Sequence, residues 1–594
     1  MIKLAFIGAG SVEFTRNVTT DLCSYPEFRG GLHFALYDIS AHRLAHAERL
    51  VSRISAQTGA DATVTATQDR RAALAGADYV INEVQVGGYS ATRADFDIPA
   101  RYGVRQTIGD TLGIGGIFRG LRTIPVVLDL ARDMNEVCQD AYLLSYSNPM
   151  AMLPWAAYEG AGFGRVYGLC HSVRDTQALL TELVGADPER VRFVTAGFNH
   201  QAFVLRFEQD GESLYPRLAE VIESSPELKR RVRVEIYRRF GYFPTESSEH
   251  SAEYVPWFMH HDDQIERFRI FVGDYLERSE ENLRELESLE RQLAGDEPLP
   301  LDQANELASL FIHSLETGTE RELHVNIRNG GLISSLPDEC CVEVPCIVGA
   351  GGPKPVPVGA LPPQLAALNR TFLNVVELTV RAALDGTREH VYQAALLDPN
   401  TAATLTTAQT VAMCDELLEA HRGLLPPALR LPAVLSRHRH PAPVLLEPRC
   451  WDSNAAVVEG AAQVADPGAG VLPGDEVATV VVGADVDVVE PIGLRAVFER
   501  ADALAGGVDA WRVLVRDEGE AGRGLHDRGA VVGGCPGVAV CVGVVAHRRG
   551  DGVVHPVDRG VGEQVVFGED GLEVAAVVAP GVPALQQPGE QAGG

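Results

Sequence analysis

Positive charge is scarce in this chain of 594 residues: 51 lysines and arginines stand against 81 aspartates and glutamates, a formal charge of −30. So acidic a chain argues against nucleic acid as a partner, because phosphate binding needs a basic surface. Cysteine is sparse as well, ten in all, with Cys340 and Cys341 adjacent and no small-domain framework spacing. That excludes a disulfide scaffold and fits a reduced, cytoplasmic setting. No membrane partner is expected either: the uncharged run from Ala530 to Ala546 carries glycines and a proline and falls short of the roughly 18 to 20 apolar residues a spanning helix needs. The opening MIKLAFIGAG reads as a first core strand meeting a glycine turn, not as a signal peptide. What is present, 46% hydrophobic and 22% charged residues, suffices for two or more domains with real cores. Small-molecule chemistry is the class left standing.

Short apolar runs alternate with helix-compatible spacing from the first residue. Ile2 to Ile7 reads as a buried strand, Val12 to Leu22 as a helix, LHFALYDI as a strand, Arg43 to Ser55 as a helix, and TVTATQD and DYVINEVQVGG as strands. Gly120 to Glu136 then reads as a helix, AYLLSYSNP and RVYGLCHS as strands, and Thr176 to Val184 as a helix. Such alternation predicts an α/β fold, a Rossmann-like doubly wound parallel sheet over residues 1–195, with ligands at the carboxyl ends of the strands. After GFNHQAF the spacing favours longer amphipathic helices, Leu228 to Phe240, Gln264 to Leu293 and Asp302 to Leu315, with short strands such as HVNIRN and CCVEVPCIV between them. Residues 196–430 are therefore expected to form an α-rich α+β domain of the lactate/malate dehydrogenase-like type.

From Leu431 to Gly594 lysine, tyrosine and methionine disappear, and Val, Gly, Ala, Asp, Arg and Pro dominate. Natural domains rarely lose so many residue types together. Residues 431–594 are thus expected to be an aberrant tail, not natively folded, of the kind a frameshift or wrong-strand translation of a GC-rich gene produces.

Five constellations carry chemistry. Gly8, Gly10 and Ser11 form a turn whose backbone can admit phosphate oxygens at a helix N-terminus, and Asp38 ends the second strand, placed to bind an adenosine ribose. That combination predicts NAD over NADP, although Glu13 occupies the place of a third glycine. Cys170 and His200 each follow a strand, and a thiolate with an imidazole suits a borderline divalent metal; two buried core residues would give the same pattern. Asn148, in SYSNPM, either aims its amide at the cofactor cleft or simply forms an Asn-Pro turn. Gln106 to Arg122 reads as a loop with five glycines, Asp110 and two arginines, able to close over a polar ligand. Thr245 to Phe258, TESSEHSAEYVPWF, gathers hydroxyls, acids, His250, Tyr254 and Trp257, as a carbohydrate site with an aromatic platform would, or as a helix cap would.

GAGS with a distal Asp, DTLGIGGIFRGLRTIP, SNPM, GLCHS, AGFNH and FPTESSEHSAEY occur in this order, and the chain resembles glycoside hydrolase family 4, within it the melibiase-type α-galactosidases, from Met1 to about Leu429. The resemblance implies hydrolysis of unphosphorylated α-galactosides with NAD and a divalent metal, manganese or another, as recycled tools, by C3 oxidation, C2 deprotonation, elimination, water addition and re-reduction. It implies Cys170 and His200 as metal ligands and Asn148, Arg119 and Asn199 as substrate-binding residues. Tyr254 is implied as base, ahead of Tyr242, and His171 or Asp110 as acid. A homodimer or homotetramer acting on a small carbohydrate is expected. Alternatives are an α-galacturonidase or α-glucosidase of the same family, or an NAD-dependent 2-hydroxy-acid dehydrogenase. The last lacks its expected GxHG-like histidine, since His200 stands in FNHQ.

Overall fold

A computed structural model of the chain describes residues 1–430 except Val12, Asp296 and Glu297, and beyond them seven strand segments between Val477 and Val578. The first compact unit runs from Met1 to Val444. Its first six strands are β1 (Ile2–Ile7), β2 (Leu32–Tyr37), β3 (Thr63–Thr67), β4 (Tyr79–Asn82), β5 (Tyr142–Ser145) and β6 (Val166–Gly168). They pair in parallel in the order β3-β2-β1-β4-β5-β6, the doubly wound order of a Rossmann sheet. Leu4, Phe6, Leu32, Phe34, Val80 and Ile81 are wholly buried, because helices cover both faces of a parallel sheet.

The sheet does not end with the sixth strand. Six more follow: β7 (Val191–Phe198), β8 (Gln201–Gln209), β9 (Glu212–Ser213), β10 (Arg321–Arg328), β11 (Cys341–Gly349) and β12 (Gly352–Pro355). Strand β10 pairs antiparallel with β6 through Asn326 and Gly168, and β11 joins β10 to β7. One twelve-stranded sheet therefore carries both the parallel half and the helix-rich half.

Several expected elements need correcting. Gln264 to Leu293 is not one helix but two, Asp262–Phe268 and Asp274–Ala294. Arg269 at φ 52° and Gly273 at φ 82° break it with left-handed backbone. The helix expected from Leu228 opens as a 3-10 turn, Leu228–Arg230, before Val232–Phe240. Most of the supposed glycine loop is the helix Gly113–Val137, and the preceding Gln106–Leu112 stretch is buried rather than a movable flap. Glu253 holds that stretch, its carboxylate accepting the N–H groups of Thr107 at 2.8 Å and Gly109 at 2.9 Å. A Cβ on Gly115 would stand 2.4 Å from the Gly109 carbonyl oxygen, so glycine serves close packing there, not flexibility.

Among the described residues no helix is long and apolar enough to cross a membrane. The second compact unit, Leu445–Gly594, holds a three-stranded and a four-stranded sheet. Apart from those strands, the residues on which the expectation of an aberrant tail was placed lie outside the described ones.

Candidate active site

The glycine turn follows β1, and Gly8 takes φ 89°, a conformation that L side chains rarely adopt. At Gly10 the constraint is space: a Cβ would stand 2.5 Å from Arg43 Cβ and 2.8 Å from Asp38 Oδ2. The Asp38 carboxylate is fixed there by the N–H of Gly10 at 3.0 Å and of Ser40 at 2.8 Å. Ser11 donates its N–H to the Gly8 carbonyl at 3.0 Å, and the helix Phe14–Ser24 starts three residues beyond Ser11. A cradle that only glycine fits, beside an anchored acid and a helix N-terminus, suits a dinucleotide.

A pocket of about 370 Å³ is lined among others by Phe14, at the start of that helix, and by Tyr146, Asn148, Cys170, His171 and Glu246. Phe14 stacks on Tyr146 with ring centroids 4.3 Å apart. These two rings supply the aromatic surface of the pocket. Trp257, expected as the platform, instead stacks on Phe240 at 5.6 Å, away from the pocket lining.

Cys170 follows β6, and His200 is the second residue of the two-residue turn Asn199–His200 that joins β7 to β8. The turn holds His200 at φ 65°, as tight hairpins require of a central residue. Cys170 Sγ lies 3.3 Å from His200 Nε2, and Glu246 Oε2 lies 3.3 Å from the same nitrogen. The residue before it in that turn goes elsewhere. Asn199, expected to bind substrate, is fully buried, donates to Glu343 Oε1 at 3.4 Å inside the sheet and does not line the pocket.

Glu246 is a third donor that the sequence pattern does not single out. Ser247 caps the helix Ser248–Glu253 by accepting the His250 N–H, and the residue before the cap is thereby turned toward Cys170. The signal was there, an acid directly ahead of a serine cap in TESSEH. Cys170, His200 and Glu246 have donor atoms within 4.8 Å of one another, as do Asp110, His200 and His250. A sulfur, a nitrogen and a carboxylate oxygen at that spacing fit a divalent cation of the manganese–zinc class.

The electrostatics agree. Burial opposes the charged form of His200, but Glu246 and Cys170 outweigh it and push the imidazole up to about 10. Burial likewise opposes the Glu246 carboxylate, and His250 with His200 hold it below the usual range. A cation must therefore displace a proton from His200, so manganese affinity should rise about tenfold per pH unit between roughly pH 6 and 9. Titration calorimetry in buffers of different ionisation enthalpy would measure this, and an affinity independent of pH would show His200 to be neutral without metal.

The remaining groups form one network. Asp110 accepts from Asn148 Nδ2 at 2.9 Å and from Thr111 Oγ1 at 2.7 Å. Its burial is outweighed by Arg119, His250 and His200, which keep the carboxyl below its usual range and suit it to accept protons rather than to donate them. Arg119 donates to the Asn148 carbonyl at 3.3 Å and to Tyr275 Oη at 2.9 Å. Arg122, the other arginine of that segment, is instead spent on a buried pair with Asp95 at 2.6 Å. Tyr254 is buried, its hydroxyl 3.4 Å from His200 Nδ1; burial and the carboxylates of Glu253 and Asp110 raise its phenol well above the ordinary value. Tyr242 packs edge-on against Tyr215; neither Tyr242 nor Tyr254 lines the pocket, and of the two it is Tyr254 that reaches His200. His171 Nε2 meets Glu306 Oε2 at 2.7 Å.

The nucleotide cradle follows β1 and Cys170 follows β6, both at carboxyl ends of parallel strands, and the hairpin after β7 brings His200, together with Glu246, to that sulfur. The sequence matches Family 4 glycosyl hydrolase over residues 3–186 and the Family 4 glycosyl hydrolase C-terminal domain over residues 195–401, and the chain belongs to that family. It is 41% identical to an alpha-galactosidase of Bacillus subtilis (strain 168) over 431 residues, 72% of this chain and 99% of that protein. It is 37% identical to an alpha-galactosidase of Rhizobium meliloti (strain 1021), covering 71% of this chain and 89% of that protein. Among solved structures it is similar to the putative glucosidase lplD from Bacillus subtilis, with a TM-score of 0.65 and 25% identity over 70% of this chain and 99% of that one. A 6-phospho-alpha-glucosidase from gut microorganisms, solved with NAD and Mn2+, shares the fold at a TM-score of 0.61 and 19% identity, over 72% of this chain and 99% of that one.

Proposed function

We propose that this chain hydrolyses unphosphorylated α-galactosides, using NAD and a divalent metal that are restored in each cycle. The observation that carries the reading is the meeting of Cys170, His200 and Glu246 beside Asn148, Asp110 and Tyr254. The two alpha-galactosidase relatives and the NAD and Mn2+ held by a fold relative support it. Cys170, His200 and Glu246 would hold the metal, and Gly8, Gly10, Ser11 and Asp38 the dinucleotide. When bound, NAD would supply a reversible hydride acceptor, and the metal would supply positive charge to polarise substrate oxygens.

The side chains do the rest. Asn148 Oδ1 is buried without a partner and is free to accept a substrate hydroxyl, which its bond to Asp110 orients. Tyr254, beside His200, is the base for the proton at C2. His171 Nε2 is engaged by Glu306, so that in the imidazolium form its Nδ1–H would be the proton available to the departing oxygen. Arg119 fixes the backbone of Asn148.

The test is release of p-nitrophenol from its α-galactoside with and without NAD, manganese and a thiol reductant. Activity is expected only with NAD and metal present together, and full activity of dialysed, chelated enzyme would sink the reading. Residues 431–594 are proposed to contribute nothing: truncation after Arg430 should leave both turnover and the melting transition unchanged, and collapse of either would show that the tail belongs to the enzyme.

A further inference from the structure

Arg233 has no part in the chemistry assigned above, yet it lines the same pocket as Cys170 and Glu246. It stands in the first turn of the helix Val232–Phe240. Its guanidinium carbon lies 4.8 Å from the centre of the Phe243 ring, which fixes the plane of the group. Nη2 donates to Thr176 Oγ1 at 2.7 Å, and Thr176 passes its own proton to the Thr245 carbonyl at 2.5 Å. Nε is buried and has no partner. Of the five donors of this planar fork, one is given to protein and one is enclosed at Nε, which leaves the other Nη donors for the pocket that the residue lines.

Burial lowers this guanidinium to about 10, against the pull of Glu246 and Glu249, so it remains charged at neutral pH. Those carboxylates bear on what it can bind. Acids already face these cations: Glu246 and Glu249 bear on Arg233, and Asp110 on Arg119. Asp175 adds a further acid to the lining. Arg233 and Arg119 thus offer little uncompensated charge with which to meet an anionic sugar.

We propose that Arg233 is the specificity-determining residue that takes ring or aglycone oxygens of a neutral glycoside through its unused N–H donors, and that the charge balance around it selects against uronides and sugar phosphates. This deepens the α-galactosidase reading and rests on it. The role is ground-state binding, since Arg233 is not among the groups that hold the metal or move protons.

The experiment compares Arg233→Gln and Arg233→Lys with the parent holoenzyme, loaded with NAD and manganese, on p-nitrophenyl α-galactoside and p-nitrophenyl α-galacturonide. A hydrogen bond to a charged group is worth roughly 10- to 100-fold in binding. Arg233→Gln should therefore raise KM for the galactoside by about that factor while kcat changes little, and Arg233→Lys should recover part of the loss. Manganese and NAD affinities, measured by calorimetry, should be unchanged, which a merely structural role for Arg233 would not leave so. The galacturonide should be the poorer substrate of the parent enzyme by roughly 100-fold or more. A KM unchanged in Arg233→Gln, or a parent enzyme that prefers the galacturonide, overturns the proposal. If the parent hydrolyses neither substrate, the functional reading fails instead, and calorimetry with free galactose still decides whether Arg233 holds a neutral sugar.

Discussion

Replacing Cys170 by serine is expected to abolish metal-dependent turnover. Serine keeps the size of the side chain but exchanges a soft, readily ionised sulfur for a hydroxyl that stays protonated, so His200 and Glu246 would be left to hold the cation alone. Even removal of a group that only orients a metal ligand commonly costs 10- to 100-fold in affinity, and loss of a direct ligand should cost at least about 100-fold. A cation at the reacting oxygens contributes several kcal/mol to transition-state stabilisation, and about 4 kcal/mol corresponds to roughly a thousandfold in rate. Manganese titration and p-nitrophenol release across a range of manganese concentrations would measure both effects. A serine variant that keeps manganese-dependent activity within about tenfold of the parent would refute the ligand assignment.

Tyr254→Phe tests the base. The change removes one oxygen and leaves the ring in its edge-on packing against Phe372, 5.4 Å away, so the fold should persist. General base catalysis is worth roughly 10²- to 10⁴-fold, and kcat should fall by that much with little change in KM. The burial and carboxylates that raise this phenol in the metal-free site make its ionisation depend on a positive charge nearby. The alkaline rise of kcat should therefore be present in the parent enzyme and missing in the variant. A substrate deuterated at C2 should react more slowly with the parent. Equal kcat for Tyr254→Phe would move the base elsewhere in the network, with Asp110 the first candidate because it is kept ionised.

What could be read from the sequence follows how local each feature is. The glycine turn with Asp38 lies within about forty residues and is enforced by contacts inside that stretch, so pattern alone reveals it. Cys170 and His200 could be picked out because each follows a strand, where sites of such folds gather. Asn199 misled because neighbours in a two-residue turn send their side chains to opposite sides: His200 faces Cys170 while Asn199 faces Glu343. Glu246 went unassigned because only the Ser247 cap, a tertiary placement of a short helix, brings it to the donors. Trp257 looked like a sugar platform by residue type, and a partner in Phe240 that no local pattern announces decided otherwise. The antiparallel continuation of the sheet left no mark in either half, since hydrophobic alternation does not say which strand will be the neighbour.

That shared sheet sets the order in which the enzyme can come into being. Asn326 and the Gly168 carbonyl it reaches are 158 positions apart along the chain, and contacts so distant form slowly because a long loop must first be closed. Cys170 lies just past β6, whereas His200 and Glu246 belong to the part of the chain that arrives with β7 and after it. Retention of a cation by all three donors would therefore report that the two parts of the sheet have come together, an expectation that manganese binding followed during refolding would check.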